Sequence, residues 1–145
     1  MKKILLLAVM ALMCTTAFAQ DYSKSAAKSE AKALAKAGWK GAGADAKLPD
    51  AVERSYKYMA DTLNYVVGEA TATGIDASEA IGRATDAAQK DALSKVKSVL
   101  KARGVKKYST SMDFRNILAI YRQEKKGGPV EGQVRVALPL PQPKK

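Results

Sequence analysis

The chain has 145 residues, with 25 Lys and Arg against 14 Asp and Glu, a formal net charge of +11, one Cys and no His. Its residues are 47% hydrophobic but only 6% aromatic, which fits one small globular domain and not two. The lack of His excludes His-based acid–base catalysis, Ser-His-Asp triads and His-ligated metals, and a single Cys excludes an internal disulfide and a zinc cluster.

The first residues read as a secretory leader. Lys2 and Lys3 precede an apolar run from Ile4 to Met13, too short to span a bilayer. Ala17-Phe18-Ala19 presents small residues where a peptidase reads them, so cleavage is expected between Ala19 and Gln20. Cys14 follows the bulky Met13, a poor context for acylation, so lipid anchoring there is not expected. The expected product, residues 20–145, is exported to the periplasm or the outer membrane, with no further apolar run of spanning length.

Residues 24–37 are almost all Ala, Lys and Ser, which predicts a helix ended by Gly38. Lys24, Lys28, Lys32 and Lys36 recur every four residues and repel one another along one stripe. With little apolar surface besides Leu34 and Trp39, residues 20–49 are expected to be a basic helical arm followed by a Gly-rich linker through Gly41, Gly43 and Pro49. A second helix is predicted from Asp50, with Asp50 and Glu53 as a capping box and Val52, Tyr56, Met59, Ala60 and Leu63 on one face.

From Leu63 to Ala70 the period changes to two, which predicts a strand, and Gly68 within it predicts a bulge or a close backbone approach. Asp76 caps a long helix predicted from Ala77 to about Arg103, with Gly104 as its stop. Its expected buried stripe is Ile81, Ala84, Ala88, Ala92, Val96, Val99 and Leu100, small enough at first to let the axis approach a sheet. Residues 76–91 carry four acids and two bases, and residues 95–107 carry six bases and no acid, as the helix dipole favours. Two alternating strands follow, around Ile117–Arg122 and Val134–Leu138, joined by a turn through Gly127-Gly128-Pro129. Residues 139–145, with Pro139, Pro141 and Pro143, read as a tail. The predicted architecture is α+β: a small three-stranded antiparallel sheet covered on one face by a long Ala-rich helix, with two shorter N-terminal helices, in a single domain over residues 50–138.

Tyr65-Val66-Val67-Gly68-Glu69-Ala70 leads into a helix with Ala77, Ala80, Ala84, Ala88 and Leu93, and a terminal hairpin ends in Val134-Arg135-Val136. This resembles the twenty-kilodalton bacterial surface lipoprotein family and the N-terminal domain of flagellar assembly protein T. Ala33 to Lys40, ending in Gly38-Trp39-Lys40, and the Arg54-Ser55-Tyr56 helix are similar to a group of uncharacterised exported bacterial proteins. The resemblance implies an envelope protein without known catalysis, and carries no catalytic residues over.

Ser25/Lys28, Ser29/Lys32 and Ser94/Lys97 match the S-x-x-K spacing of penicillin-recognising enzymes, but the S-D-N and K-T-G partners are missing. Glu69 is the most notable carboxylate; with no evident second acid beside it, pairing with Lys or Arg is the expected role. No catalytic, cofactor or metal site is expected. The strongest signals are two basic clusters. One is Lys24, Lys28, Lys32, Lys36 and Lys40 beside Trp39, and the other runs from Lys95 through Lys101, Arg103, Lys106 and Lys107 to Tyr108. The expected function is a non-catalytic, envelope-associated domain that binds an acidic envelope component or an envelope protein through these clusters. The alternative is a generic polyanion or nucleic-acid binder. Strand 133–138 is a candidate free edge for self-association, blunted by Arg135 and the prolines.

Overall fold

A computed structural model describes residues 22–109 and 112–141. The expected leader, Cys14 and the expected Ala19–Gln20 cleavage junction lie outside the described residues, as does the end of the expected tail from residue 142. The elements in chain order are α1 (Lys24–Lys36), β1 (Lys40–Gly41), a 3-10 turn (Gly43–Asp45), α2 (Leu48–Ala60), β2 (Tyr65–Gly74), α3 (Ala77–Ala102), β3 (Arg115–Gln123) and β4 (Val130–Pro139). The fold is α+β with an antiparallel sheet in the order β1-β3-β4-β2.

The sheet therefore has four strands, not three. The extra strand is the short β1 after Trp39, which pairs Lys40 with Tyr121 and Gly41 with Ile120. It comes from the stretch expected to be a linker, because two residues suffice to cap the exposed edge of β3. Nor do the helices share a face. α3 covers one side, packing on Val66, Val134, Val136, Leu138 and Leu140. α1 and α2 cover the other through Ala27, Ala31, Leu48, Ala51, Val52 and Tyr56, against Leu118 and Ile120. The expected arm is thus part of the core. Two alanines one turn apart let α1 lie close to its neighbours without large side chains.

β4 is central, hydrogen-bonded to β2 on one side and β3 on the other, so it is not the free edge. Its side chains alternate between the layers. Val134, Val136 and Leu138 face α3, and Gln133 and Arg135 face α1 and α2. A register shift between Asn116 and Leu118 inserts Ile117 as a bulge in β3.

The long helix follows the sequence reading closely. Asp76 accepts the Glu79 N–H at 2.8 Å as N-cap, and the Val105 N–H returns to the Leu100 carbonyl at 2.9 Å beyond Ala102. Gly104, with φ at 75°, supplies the left-handed residue of that C-cap. α3's buried stripe is Ala80, Ala84, Ala88, Ala92, Val96 and Leu100, and Ile81 and Val99 flank it half-buried. Gly68 is a close approach: a Cβ there would strike the Ala88 carbonyl. α2 begins earlier than expected, at Leu48, with Pro49 in its first turn and no side-chain cap from Asp50. β2 begins later and runs longer, which places Gly68-Glu69-Ala70 mid-strand rather than at its end.

The register brings the start of β2, the start of β3, the end of β4 and the end of α3 to one pole of the molecule. Tyr65 stands opposite Pro139, Arg115 stands opposite Ala137, and Lys95 donates to the Val67 carbonyl at 3.1 Å. The β2–α3 turn and the β3–β4 loop lie at the other pole. No helix of the described residues is long and apolar enough to cross a membrane.

Candidate functional site

The lysine stripe of α1 points outward. Lys24, Lys28, Lys32 and Lys36 are exposed because Ala27, Glu30 and Ala31 take the inward face. Lys24 reaches Glu53 at 3.9 Å, a solvated pair; Lys28, Lys32, Lys36 and Lys40 make no ion pair among the described residues. Lys40 projects from β1, exposed. Trp39 does not join this surface. It is only 5% exposed, packed among α1, α2 and β3, with the Arg122 guanidinium stacked 4.8 Å from its ring centre. An indole this buried has no face left for a partner.

The second cluster lies beyond the last turns of α3. Lys97, Lys101, Arg103, Lys106 and Lys107 are all exposed, and none makes an ion pair among the described residues. Lys95 differs, because it pairs with Asp91 at 3.0 Å. Tyr108 is half-buried against the α3 layer. The S-x-x-K serines Ser25, Ser29 and Ser94 sit on exposed helix faces with their lysines.

The buried charges form a separate system. Arg135 is 4% exposed, yet it lies in the middle of the central strand. Its Nη2 donates to Glu30 Oε1 at 2.5 Å, its Nε to Glu69 Oε2 at 3.2 Å and its Nη1 to Ser55 Oγ at 3.3 Å. Gln133 donates to Glu69 Oε1 at 2.6 Å, and the Tyr56 hydroxyl donates to the remaining Glu30 oxygen. Glu69 therefore has the expected cation. It also has a second acid nearby, Glu30, which sequence reasoning missed. Burial opposes the charge of Arg135, but Glu69 and Glu30 outweigh it and hold the guanidinium protonated above the usual arginine range. Burial, then the hydrogen bond to Glu30, pushes the Tyr56 hydroxyl well above the usual tyrosine range. Tyr22, stacked edge-on against Tyr56 at 5.4 Å, is also raised by burial, with Arg135 opposing and Glu30 adding.

Two smaller ionic groups repeat the pattern on the same side of the sheet. Arg122 donates to Glu131 at 3.1 Å and to the Ala37 carbonyl at 3.3 Å. Asp45 accepts from Arg54 and from the Ala119 N–H, the latter at 2.9 Å. No buried side-chain polar atom among the described residues lacks a partner, so these networks are closed structural devices. A signal for them did exist. Glu30 is the lone acid of residues 24–37 and shares the face of Ala27, Ala31 and Leu34, and Arg135 interrupts an apolar strand. Opposite charges embedded in two apolar faces are candidates for each other.

Open depressions also mark the surface. One, of about 420 Å³, lies beside Gly74, Arg83 and Gly128; another, of about 300 Å³, is lined by Arg54, Lys57, Tyr58, Asp61 and Tyr65. Among the described residues no group of three Asp, Glu, Cys or His is placed to hold a metal ion. Compared with known proteins, the chain matches no family model, no curated relative and no solved structure.

Proposed function

We propose that this is an exported, non-catalytic binding domain that docks on an acidic component of the cell envelope through its exposed cations. The observation that carries the reading is the division of labour among its charges. Buried ions such as Arg135 and Glu30 are neutralised inside the fold, while the surface of α1 and the end of α3 present nine cations without an ion pair among the described residues (Lys28, Lys32, Lys36, Lys40, Lys97, Lys101, Arg103, Lys106 and Lys107). A stripe of like charges costs helix stability, about 0.2–0.5 kcal/mol per repelling pair, so a use outside the helix is its best rationale. The leader and the resemblance to surface lipoproteins support an envelope location. The carboxylates best placed for chemistry, Glu30 and Glu69, are already occupied by Arg135, Gln133 and Tyr56, which favours binding over catalysis.

The test is co-sedimentation of the purified protein with outer-membrane vesicles, peptidoglycan and an anionic control polymer, from low salt to about 150 mM, where exposed charges are screened beyond roughly 8 Å. Saturable binding to one envelope fraction, weakened at least tenfold by Lys→Gln at Lys24, Lys28, Lys32 and Lys36 or at Lys101, Lys106 and Lys107, is the expected result. Association unchanged by both sets overturns the reading. Equal binding to every polymer, vanishing with salt, identifies generic polyanion attraction instead.

A further inference from the structure

We infer that the docking face is the pole at the start of β2 and β3, and that its partner is an anionic phospholipid surface. This rests on the proposed binding function, keeps Arg103, Lys106 and Lys107 from its cations, adds the residues of the pole, and names one class of partner.

The fold gathers at this pole features that are scattered along the chain. Leu63 and Met112 precede β2 and β3, and they are 73% and 69% exposed. Because Tyr65 and Arg115 stand opposite Pro139 and Ala137 of the same strand, both apolar tips project from the same end of the sheet. The surrounding charge is mostly positive. Lys57 and Arg115 stand near the tips, and Arg103, Lys106 and Lys107 follow from the end of α3. Two acids stand among these cations: Asp61, which accepts from the Asn64 amide at 2.9 Å and keeps its charge, and Asp113, a solvated partner 3.9 Å from Arg115.

Tyrosines complete the arrangement. Tyr58 and Tyr65 pack edge-on at 5.0 Å. They border the shallow depression of about 300 Å³, whose other walls are Arg54, Lys57 and Asp61. Leu63 lies between Asp61 and Tyr65 of that rim. A headgroup phosphate seated there would meet Lys57 and a phenol while Leu63 enters the acyl boundary. Amphipathic rings at headgroup level, basic side chains around them and apolar tips ahead are what an anionic interface selects.

Single exposed apolar residues are common and carry no meaning alone. The opposite pole provides the internal contrast. Ile75 is 81% exposed there, but it shares a depression with Glu79 and Arg83, which pair at 2.6 Å, and the adjoining turn and the β3–β4 loop carry Asp76 and Glu124 as well as Lys125 and Lys126. An anionic surface is therefore attracted to one pole and balanced at the other. Neither α1 nor α3 has a free apolar face, so insertion, if confined to two side chains, leaves the fold unchanged.

The experiment is sedimentation of the full protein with vesicles of phosphatidylcholine alone and with added phosphatidylglycerol, for the wild type, L63E/M112E, L63S/M112S and the K24Q/K28Q/K32Q/K36Q variant. Circular dichroism confirms each fold. Binding should require phosphatidylglycerol, fall about tenfold or more with L63E/M112E and by a smaller factor with L63S/M112S. Each pole cation removed should weaken it roughly fivefold. A second readout is L63W. Trp39, the only native tryptophan, is buried, so a blue shift on vesicle addition in L63W but not in wild type reports insertion of that position. Vesicle binding that ignores both pole variants, with no shift in L63W, overturns this inference; if it then falls with the α1 variant, the proposed function stands and the face is α1. Binding to envelope fractions but not to any vesicle overturns the lipid assignment alone.

Discussion

The two faces of the sheet are built on opposite principles. Under α3 the core is dry. Gly68, Gly74 and Gly132 let the backbone of the helix approach, and Ala80, Ala84, Ala88 and Ala92 fill the gap against Val134, Val136 and Leu138. Under α1 and α2 the core holds Arg135, Glu30, Tyr56, Asp45 and Arg122, each satisfied by named partners. One strand serves both, because successive side chains of β4 point to opposite layers. The comparison teaches that the dry face stabilises through contact area and tolerates no added volume. The ionic face specifies which helix lies where, and tolerates no missing partner.

Breaking the ionic face should have the largest effect. Arg135→Met leaves Glu30 and the inner part of Glu69 without their cation, and is expected to cost about 3–5 kcal/mol. Adding Glu30→Gln should recover part of that loss, which distinguishes an uncompensated charge from lost packing; urea unfolding of the single and double variants measures both. A recovery of zero would mean that Arg135 acts through its stem alone.

On the dry face, Gly68→Ala drives a methyl into the Ala88 carbonyl and should cost about 1–3 kcal/mol. Gly82, on the exposed side of the same helix, has open space around its missing Cβ. Gly82→Ala should therefore stabilise by up to about 1 kcal/mol. The two substitutions are chemically identical, and opposite shifts in thermal midpoint would isolate the close approach as the cause.

The alkaline limit should sharpen the contrast further. The Tyr56 and Tyr22 phenols have raised pKa values in the fold, so the folded state holds protons that the unfolded chain gives up near pH 10. Their contribution is fully present below about pH 10 and declines as pH rises above it. Stability of the wild type should fall with pH in that window, and Tyr56→Phe should flatten the slope. Phenolate absorbance followed together with unfolding checks it. An equal slope in both proteins would place the alkaline sensitivity elsewhere.

How much of this was legible follows the same division. The caps of α3, its alanine stripe, the role of Gly68 and the terminal hairpin were readable, because period and capping are local properties of the chain. On the ionic face only the separate oddities were legible, Glu30 alone on the alanine face of its helix and Arg135 within an apolar strand. Their pairing was not, because the two are 105 residues apart and it depends on which segments meet. The same blindness made α1 look like an arm and Trp39 like an interface residue. The lysine clusters were legible as clusters; that Leu63 and Met112 stand at one pole beside Lys57 and Arg115 depends on strand register.

By itself, then, the sequence determined the α+β class, the extent of the long helix, the positions of its stops and the outward placement of the lysine stripe, since each depends on neighbours within a few residues. Only the tertiary structure decided that the sheet has a fourth strand, that helices cover both of its faces, and that a buried arginine on the central strand ties the N-terminal helix to the rest. Those outcomes depend on which distant segments meet. A charge can be buried only where its partner arrives, and that is a property of the assembled fold.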